Sequence, residues 1–202
     1  MCFSASASFT ASALLGALGI ISFIKVKQPR LYFFNSIPVL FSLQQAAEGC
    51  VWLYQSHLAA QIFLFFALVI WPTVIPFSLL VLERNKKASL WLTYFTVAGL
   101  GTSLLLLLDI WLFRPEFMVD GCHIIYRIHS FLPIPAFILV FMYCVVALMP
   151  FFISTYPYME LIGTLLWAAC LLSYAIFTLY FTSVWCFFAA LISSIIVIIT
   201  PK

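Results

Sequence analysis

Long apolar segments follow one another along the whole chain, and short polar stretches separate them. Of the 202 residues, 66% are hydrophobic and 7% are charged, whereas a soluble domain carries about 25% charged residues. A helix needs roughly 20 apolar residues to cross a bilayer, so this pattern predicts a membrane protein and excludes soluble, disordered and collagen-like chains. The length leaves no room for a separate soluble domain, and residues 1–202 are predicted to form one transmembrane domain.

The polar stretches divide the chain into seven predicted spans. Residues 158–200 are too long for one span and divide at their least apolar point, near residues 180–183. Continuous apolar runs favour helices over a β-barrel, in which apolar and polar residues alternate. The predicted fold class is therefore an all-α bundle of seven transmembrane helices. The predicted spans cover residues 9–26, 31–54, 58–82, 88–113, 131–153, 158–179 and 183–200.

The basic residues predict the orientation of this bundle. One side holds only Arg114 and Arg127, and the other holds seven basic residues, so the positive-inside rule places the amino terminus outside and the carboxyl terminus in the cytoplasm. No basic region precedes the first apolar run, and we expect that span to insert without cleavage. The sequence therefore predicts a multi-pass protein of the bacterial inner membrane. Its predicted partner is the lipid bilayer, and it is not expected to bind nucleic acid. The cytoplasmic basic residues are Lys25, Lys27, Arg30, Arg84, Lys86, Lys87 and Lys202.

Most of the remaining ionisable and thiol side chains fall near the outer face in this topology. Glu48 lies about six residues inside the outer end of span two, and Asp109 lies about four residues inside the outer end of span four. Because a carboxylate at membrane depth costs ~2.5–3.5 kcal/mol, both should face the bundle interior or a wet cavity. Both are candidate catalytic carboxylates. Alternatively, Glu48 is protonated or bonded to neighbours such as Gln44, and Asp109 reaches Arg114.

The same outer face holds a candidate metal site. Carboxylate, imidazole and thiolate groups are the usual ligands of zinc and other transition metals. The chain contains neither an HExxH nor a CxxC motif, so the hypothesis rests on predicted proximity alone. The candidate ligands are Cys2, His123, Cys186 and Glu48.

The cysteines also allow a second interpretation. Cys122 could form a disulfide with Cys2 or Cys50, because the periplasm is oxidising. Cys144 and Cys170 lie in the middle of predicted spans, where a thiol behaves as a small apolar side chain.

Three sequence strings resemble an uncharacterised family of small bacterial seven-span membrane proteins. They are MCFSASASF at residues 1–9, QQAAEGCVW at residues 44–52 and SVWCFFAA at residues 183–190. The resemblance covers the whole chain and implies no established activity. It also matches residues 120–126 to an outer loop that contains a histidine, which favours His123 among the histidines. The strings contain Cys2, Glu48 and Cys186.

Three functions remain open at this point. A membrane enzyme would hold a metal and act on a lipid or small amphiphile from the outer leaflet. A small carrier would use Glu48 and Asp109 as a proton- or cation-coupled site. An accessory subunit would only contact other membrane proteins. Retinal photochemistry is excluded, because every lysine lies at a predicted cytoplasmic end or in the carboxyl-terminal tail.

Overall fold

The computed structural model describes residues 4–199, and most of this range is helical. Seven helices and one β-hairpin are present in it, which confirms the predicted all-α class. Helix α3 includes a π-helical segment, Phe65–Ile70, and α7 begins with a 3₁₀ turn. The helices are α1 (Ala5–Lys25), α2 (Leu31–Tyr54), α3 (His57–Leu82), α4 (Lys86–Phe113), α5 (Phe137–Ile153), α6 (Met159–Ile176) and α7 (Thr178–Ile199). The hairpin strands are β1 (Glu116–Asp120) and β2 (His123–Arg127).

Five helices, α1, α3, α4, α6 and α7, are long and apolar enough to cross a membrane. Helix α5 is apolar but shorter. Helix α2 has 24 residues and carries several polar side chains, which are buried inside the bundle. Large apolar side chains such as Ile24, Trp111 and Ile198 are exposed instead. An apolar exterior around buried polar groups is the arrangement that a bilayer requires.

Two helix starts differ from the predicted segments for local reasons. The Ser4 hydroxyl accepts a hydrogen bond from the N–H of Ala7 at 3.3 Å, so α1 begins before the predicted residue 9. The predicted segment 131–153 becomes helical only near its residue 136. Pro133 and Pro135 lie before that point, and a proline can neither donate a backbone hydrogen bond nor leave its preceding residue in helical geometry.

Small residues allow α1 and α2 to pack closely as an antiparallel pair. A Cβ atom on Gly19 would overlap with the side chain of Val39 on α2. Near the same contact, the Ser42 hydroxyl donates to the carbonyl of Ser12 at 2.7 Å. Close approach through small residues is a common way to associate helices in lipid.

Helix α3 is irregular at its centre, where Pro72 supplies no N–H to the preceding turn. Neighbouring helices provide donors to this region. The Tyr143 hydroxyl of α5 donates to the Ala67 carbonyl at 2.5 Å, and the Ser103 hydroxyl of α4 donates to the Val69 carbonyl at 2.6 Å. These two bonds tie the irregular segment to α4 and α5, and they supply donors to carbonyl groups that the irregular helix leaves without a regular partner.

The connections gather at two ends of the bundle. Residues 26–30, 83–85 and 154–158 lie at one end, which we call the basic end because Lys25, Arg30 and Arg84 lie there. The other end contains the turn between α2 and α3 and the β-hairpin, and we call it the hairpin end.

The sequence analysis places residues 114–130 between two predicted spans and does not predict this hairpin. Its strands pair antiparallel from Glu116–Arg127 to Asp120–His123, around Gly121 with a φ of 55°. Ile124 of β2 is fully buried against side chains of α2 and α3. The hairpin therefore covers the end of the bundle and is not a free loop.

Candidate functional site

A group of buried polar side chains lies inside the bundle toward the hairpin end. Helices α1, α2 and α7 contribute to it, and each member is at most 5% exposed. We call this group the Glu48 centre. Its members are Ser8, Gln44, Gln45, Glu48, Ser183 and Cys186.

Helical spacing brings these side chains together. Residues 44 and 48 are four positions apart on α2, and residues 183 and 186 are three positions apart on α7, so each pair shares one helix face. The two faces meet where the Ser183 hydroxyl donates a hydrogen bond to Oε1 of Glu48 at 2.5 Å. The sequence analysis predicted Glu48 and Cys186 near one another, and both belong to this centre.

The Glu48 carboxyl group has polar neighbours but no basic one. The side chains of Ser8 and Gln45 also approach it. Within residues 4–199, no arginine, lysine or histidine forms an ion pair with Glu48. A buried carboxylate without a counter-charge carries a large desolvation cost. The centre therefore suits a carboxyl group that holds a proton or a bound cation.

Several buried polar atoms of the centre lack a hydrogen bond within the described residues. Oε1 of Gln44 accepts from Nε1 of Trp71 at 2.7 Å, but Nε2 of Gln44 approaches Cys186 without good hydrogen-bond geometry. The indole N–H of Trp185 and the hydroxyl of Tyr126 are likewise unpartnered. A buried polar atom of this kind costs about 1–3 kcal/mol when it stays unpaired, so these atoms favour any polar partner that reaches them.

Tyr126 of β2 covers the centre from the hairpin end. Its ring stacks on Phe63 of α3, with centroids 4.9 Å apart. The phenol is close enough to Glu48 and Cys186 to interact electrostatically with both. Burial holds the pKa of Tyr126 well above its ordinary value, so its hydroxyl remains a neutral donor at physiological pH.

A cavity of about 40 Å³ adjoins the centre on the other side. Trp185 and Cys186 line its near part, and it follows the α7 face past Ser193 toward Ile196. Nearly all of its wall is apolar. This volume accommodates one or two water molecules, which require polar partners such as the side chains of Cys186, Trp185 and Ser193 in its wall.

Asp109 occupies a different place. It is 3% exposed, and its Oδ1 accepts a hydrogen bond from the backbone N–H of Phe131 at 3.0 Å. This bond anchors the connection that leads into α5 to the hairpin end of α4. The structure supplies a structural role for Asp109, and its catalytic role stays a prediction.

The candidate metal ligands are only partly brought together. Cys2 lies outside the described residues, and the His123 ring stacks on Tyr180 at 4.3 Å between centroids. Within residues 4–199, no three His, Cys, Asp or Glu side chains are grouped closely enough to hold a metal ion. Glu48, Cys186 and His123 therefore do not form a three-ligand site by themselves, and the four-ligand zinc site stays a prediction.

The structure excludes one of the two predicted disulfide pairings of Cys122. Cys122 is disulfide-bonded, whereas Cys50 is a free thiol, so these two are not paired. The other predicted pairing involves Cys2, outside the described residues. Cys144 and Cys170 are buried free thiols whose sulfur atoms lie 3.4 Å apart between α5 and α6.

Sequence reasoning missed two members of the centre and two residues that border it. Ser8 and Ser183 are short polar residues that have no distinctive spacing relative to Glu48. Tyr126 and Trp185 are polar only at one atom and belong to segments rich in apolar residues. The available signal was membership of the quoted segments: Ser8 lies in MCFSASASF, Ser183 and Trp185 lie in SVWCFFAA, and Tyr126 ends the matched segment 120–126.

The helices and the buried carboxyl centre define a helical protein with apolar surfaces compatible with a bilayer. The chain belongs to the family of unknown function DUF6629, whose model matches residues 1–202. This match confirms the prediction of an uncharacterised family. No curated protein and no solved structure matches the chain.

Proposed function

We propose that the protein is a small carrier of the bacterial inner membrane, with seven spans, an outer amino terminus and Glu48 as its proton- or cation-binding group. In this proposal α2 and α5 cross the bilayer together with the other five helices. Their polar groups are directed inward or shielded by neighbours, so lipid still meets an apolar surface.

Two observations support the proposed orientation. The basic end carries Arg30 and Arg84, which the positive-inside rule assigns to the cytoplasm. The hairpin end contains the disulfide-bonded Cys122, and disulfides persist in oxidising compartments such as the periplasm. Both signals support the proposal that opposite ends of the bundle face opposite sides of the membrane.

The observation that carries the proposed activity is the buried Glu48 carboxyl group without a basic partner. Its neighbours are hydroxyl and amide groups, together with one thiol, Cys186. Oxygen ligands suit a proton or a hard cation better than zinc. The kinked helix α3 and the hairpin border this centre, and they are the elements that would rearrange around it during transport.

Infrared difference spectroscopy of the purified protein tests the binding step. Titration with Na⁺, K⁺ or protons should change the carbonyl-stretch band of a protonated carboxyl group, and Glu48→Gln should remove that change. Glu160→Gln is the matched control, because Glu160 is an exposed carboxylate in the first turn of α6. A cation- and pH-independent band, or the same response in Glu48→Gln, would contradict the proposal.

Metal analysis distinguishes this carrier from the alternative metal enzyme. Purified wild type is compared with Cys2→Ala, Glu48→Gln and Cys186→Ala. The carrier proposal expects no stoichiometric zinc in any of the four proteins. One equivalent of zinc in the wild type that all three substitutions remove would favour the metal site instead.

A further inference from the structure

A second concave site lies at the opposite end of the bundle from Glu48. Three connections meet there, namely residues 26–30, 83–85 and 154–158. They enclose a pocket of about 350 Å³, which we call the basic-end pocket. Its lining residues are Gln28, Arg30, Leu31, Leu82, Glu83, Arg84, Thr155, Tyr156 and Pro157.

Two arginines share this pocket. Arg30 and Arg84 also line a wider depression of about 580 Å³ beside it, together with Gln28 and Pro29. Within residues 4–199, neither guanidinium group forms an ion pair. Tyr156 adds a half-buried phenol, whose pKa burial raises despite the opposing effect of Arg84. The pocket therefore offers two uncommitted cationic groups and a neutral hydroxyl.

The pocket also contains one carboxylate, Glu83, which is occupied by the loops around it. Its oxygens accept hydrogen bonds from the backbone N–H groups of Arg84 and Asn85, and from Thr155 and Ser154 of the α5–α6 connection. Burial by itself raises the pKa of Glu83, but these hydrogen bonds outweigh it and lower the pKa below 4.5. Glu83 is ionised at neutral pH, so two arginines and one glutamate give the pocket a net charge of +1.

We propose that the basic-end pocket binds a singly charged phosphate group through Arg30 and Arg84. Guanidinium groups match phosphate oxygens with paired hydrogen bonds, and basic pockets at the cytoplasmic membrane surface recognise lipid headgroups. A phosphodiester carries one negative charge, which balances the pocket. A singly charged phosphate group can be the phosphodiester of an anionic lipid or free dihydrogen phosphate, and the experiment separates these sources.

The test is native mass spectrometry of the full chain released from nanodiscs that contain equal amounts of phosphatidylglycerol and phosphatidylcholine. Arg30→Gln combined with Arg84→Gln should lower retention of phosphatidylglycerol about tenfold or more, since one lost charge-assisted contact already accounts for such a factor. Lys25→Gln combined with Lys87→Gln removes the same charge from the same end of the bundle. Neither lysine lines the pocket, so retention should be unchanged.

Two further measurements keep the test decisive. Arg30→Lys combined with Arg84→Lys preserves the charge but not the planar fork, and it should weaken retention by an intermediate factor. A separate titration with inorganic phosphate, against matched KCl, follows thermal unfolding. If phosphate stabilises the wild type but not the arginine variant, free phosphate is a ligand. If lipid retention needs the arginines but phosphate does not stabilise the protein, the lipid headgroup is the ligand.

Equal loss of lipid in the arginine and lysine variants would reduce the effect to general surface charge and overturn the proposal. Unchanged retention in the arginine variant, together with no arginine-dependent response to phosphate, would overturn it as well. The outcome is independent of Glu48, because the two sites lie at opposite ends of the bundle and share no residue.

Discussion

The two ends of the bundle each hold a buried glutamate, and the two carboxyl groups have very different surroundings. Glu83 is held by five hydrogen bonds from two loop segments, residues 84–85 and 154–155. Glu48 receives one hydrogen bond within standard geometry, from Ser183. Burial alone therefore does not determine the state of a carboxyl group. The number of hydrogen-bond donors that stabilise its charge differs between the two ends.

The largest effect on stability is expected when Glu83 is replaced. Glu83→Ala leaves the donors of residues 84, 85 and 155 without their acceptor, and we expect a loss of about 3 kcal/mol or more in the free energy of unfolding. Thermal unfolding in detergent, followed by circular dichroism, measures the change. Glu160→Ala is the control at an exposed carboxylate, and equal effects of the two substitutions would contradict the structural role of Glu83.

The pH dependence of the free energy of unfolding should also reveal the contribution of Glu83, with a smaller effect than Glu83→Ala has. The folded-state pKa of Glu83 lies below its unfolded value of about 4.5, so its stabilisation is fully present above that pH and is lost as the pH falls through the folded pKa. When the pH falls from about 5 to about 3, the wild type should therefore lose more free energy of unfolding than Glu83→Gln does. Parallel acid profiles of the two proteins would refute this assignment.

Replacement of two tyrosines by phenylalanine should give one intermediate and one small loss of stability. The Tyr143 hydroxyl donates to the Ala67 carbonyl, so Tyr143→Phe leaves a buried carbonyl without its donor and should cost about 1–2 kcal/mol. The Tyr126 hydroxyl has no partner in the described residues, so Tyr126→Phe should change stability by less than about 0.5 kcal/mol. Chemical unfolding of both variants tests the difference, and a larger cost for Tyr126→Phe would show that its hydroxyl is engaged.

The smallest effect on stability is expected at Glu48. Gln keeps an oxygen that accepts the Ser183 hydrogen bond, and it removes the charge that is costly to bury, so Glu48→Gln should be neutral or slightly stabilising. The thermal unfolding temperature, measured without added cation, checks this. A strong destabilisation would give Glu48 the same structural character as Glu83 and remove the contrast between the two ends.

The sequence predicted the framework well because apolar length determines where helices form in a bilayer. It also predicted that Glu48 and Cys186 lie together, because both positions follow from depth along their helices. The partners of Glu48 were not predictable in this way. Ser183 is one of many serines, and only the packing of α2 against α7 selects it.

The hairpin escaped prediction for a different physical reason. Its strands have five residues each, and their pairing gains stability from the burial of Ile124 and Tyr126 against the helices. A short hairpin alone is only marginally stable in water. The hairpin therefore depends on tertiary packing more than on its local sequence, which is why the sequence did not predict it.

The bond between Ser183 and Glu48 also has a consequence for biogenesis. The two residues are 135 positions apart, so α2 leaves the ribosome long before α7 exists. In the proposed seven-span topology, the nascent chain presents a carboxyl group at membrane depth without its hydroxyl partner until α7 is inserted. Completion of the centre is then a late step of assembly, and a chain truncated before α7 would leave the Glu48 carboxyl group without this hydrogen bond.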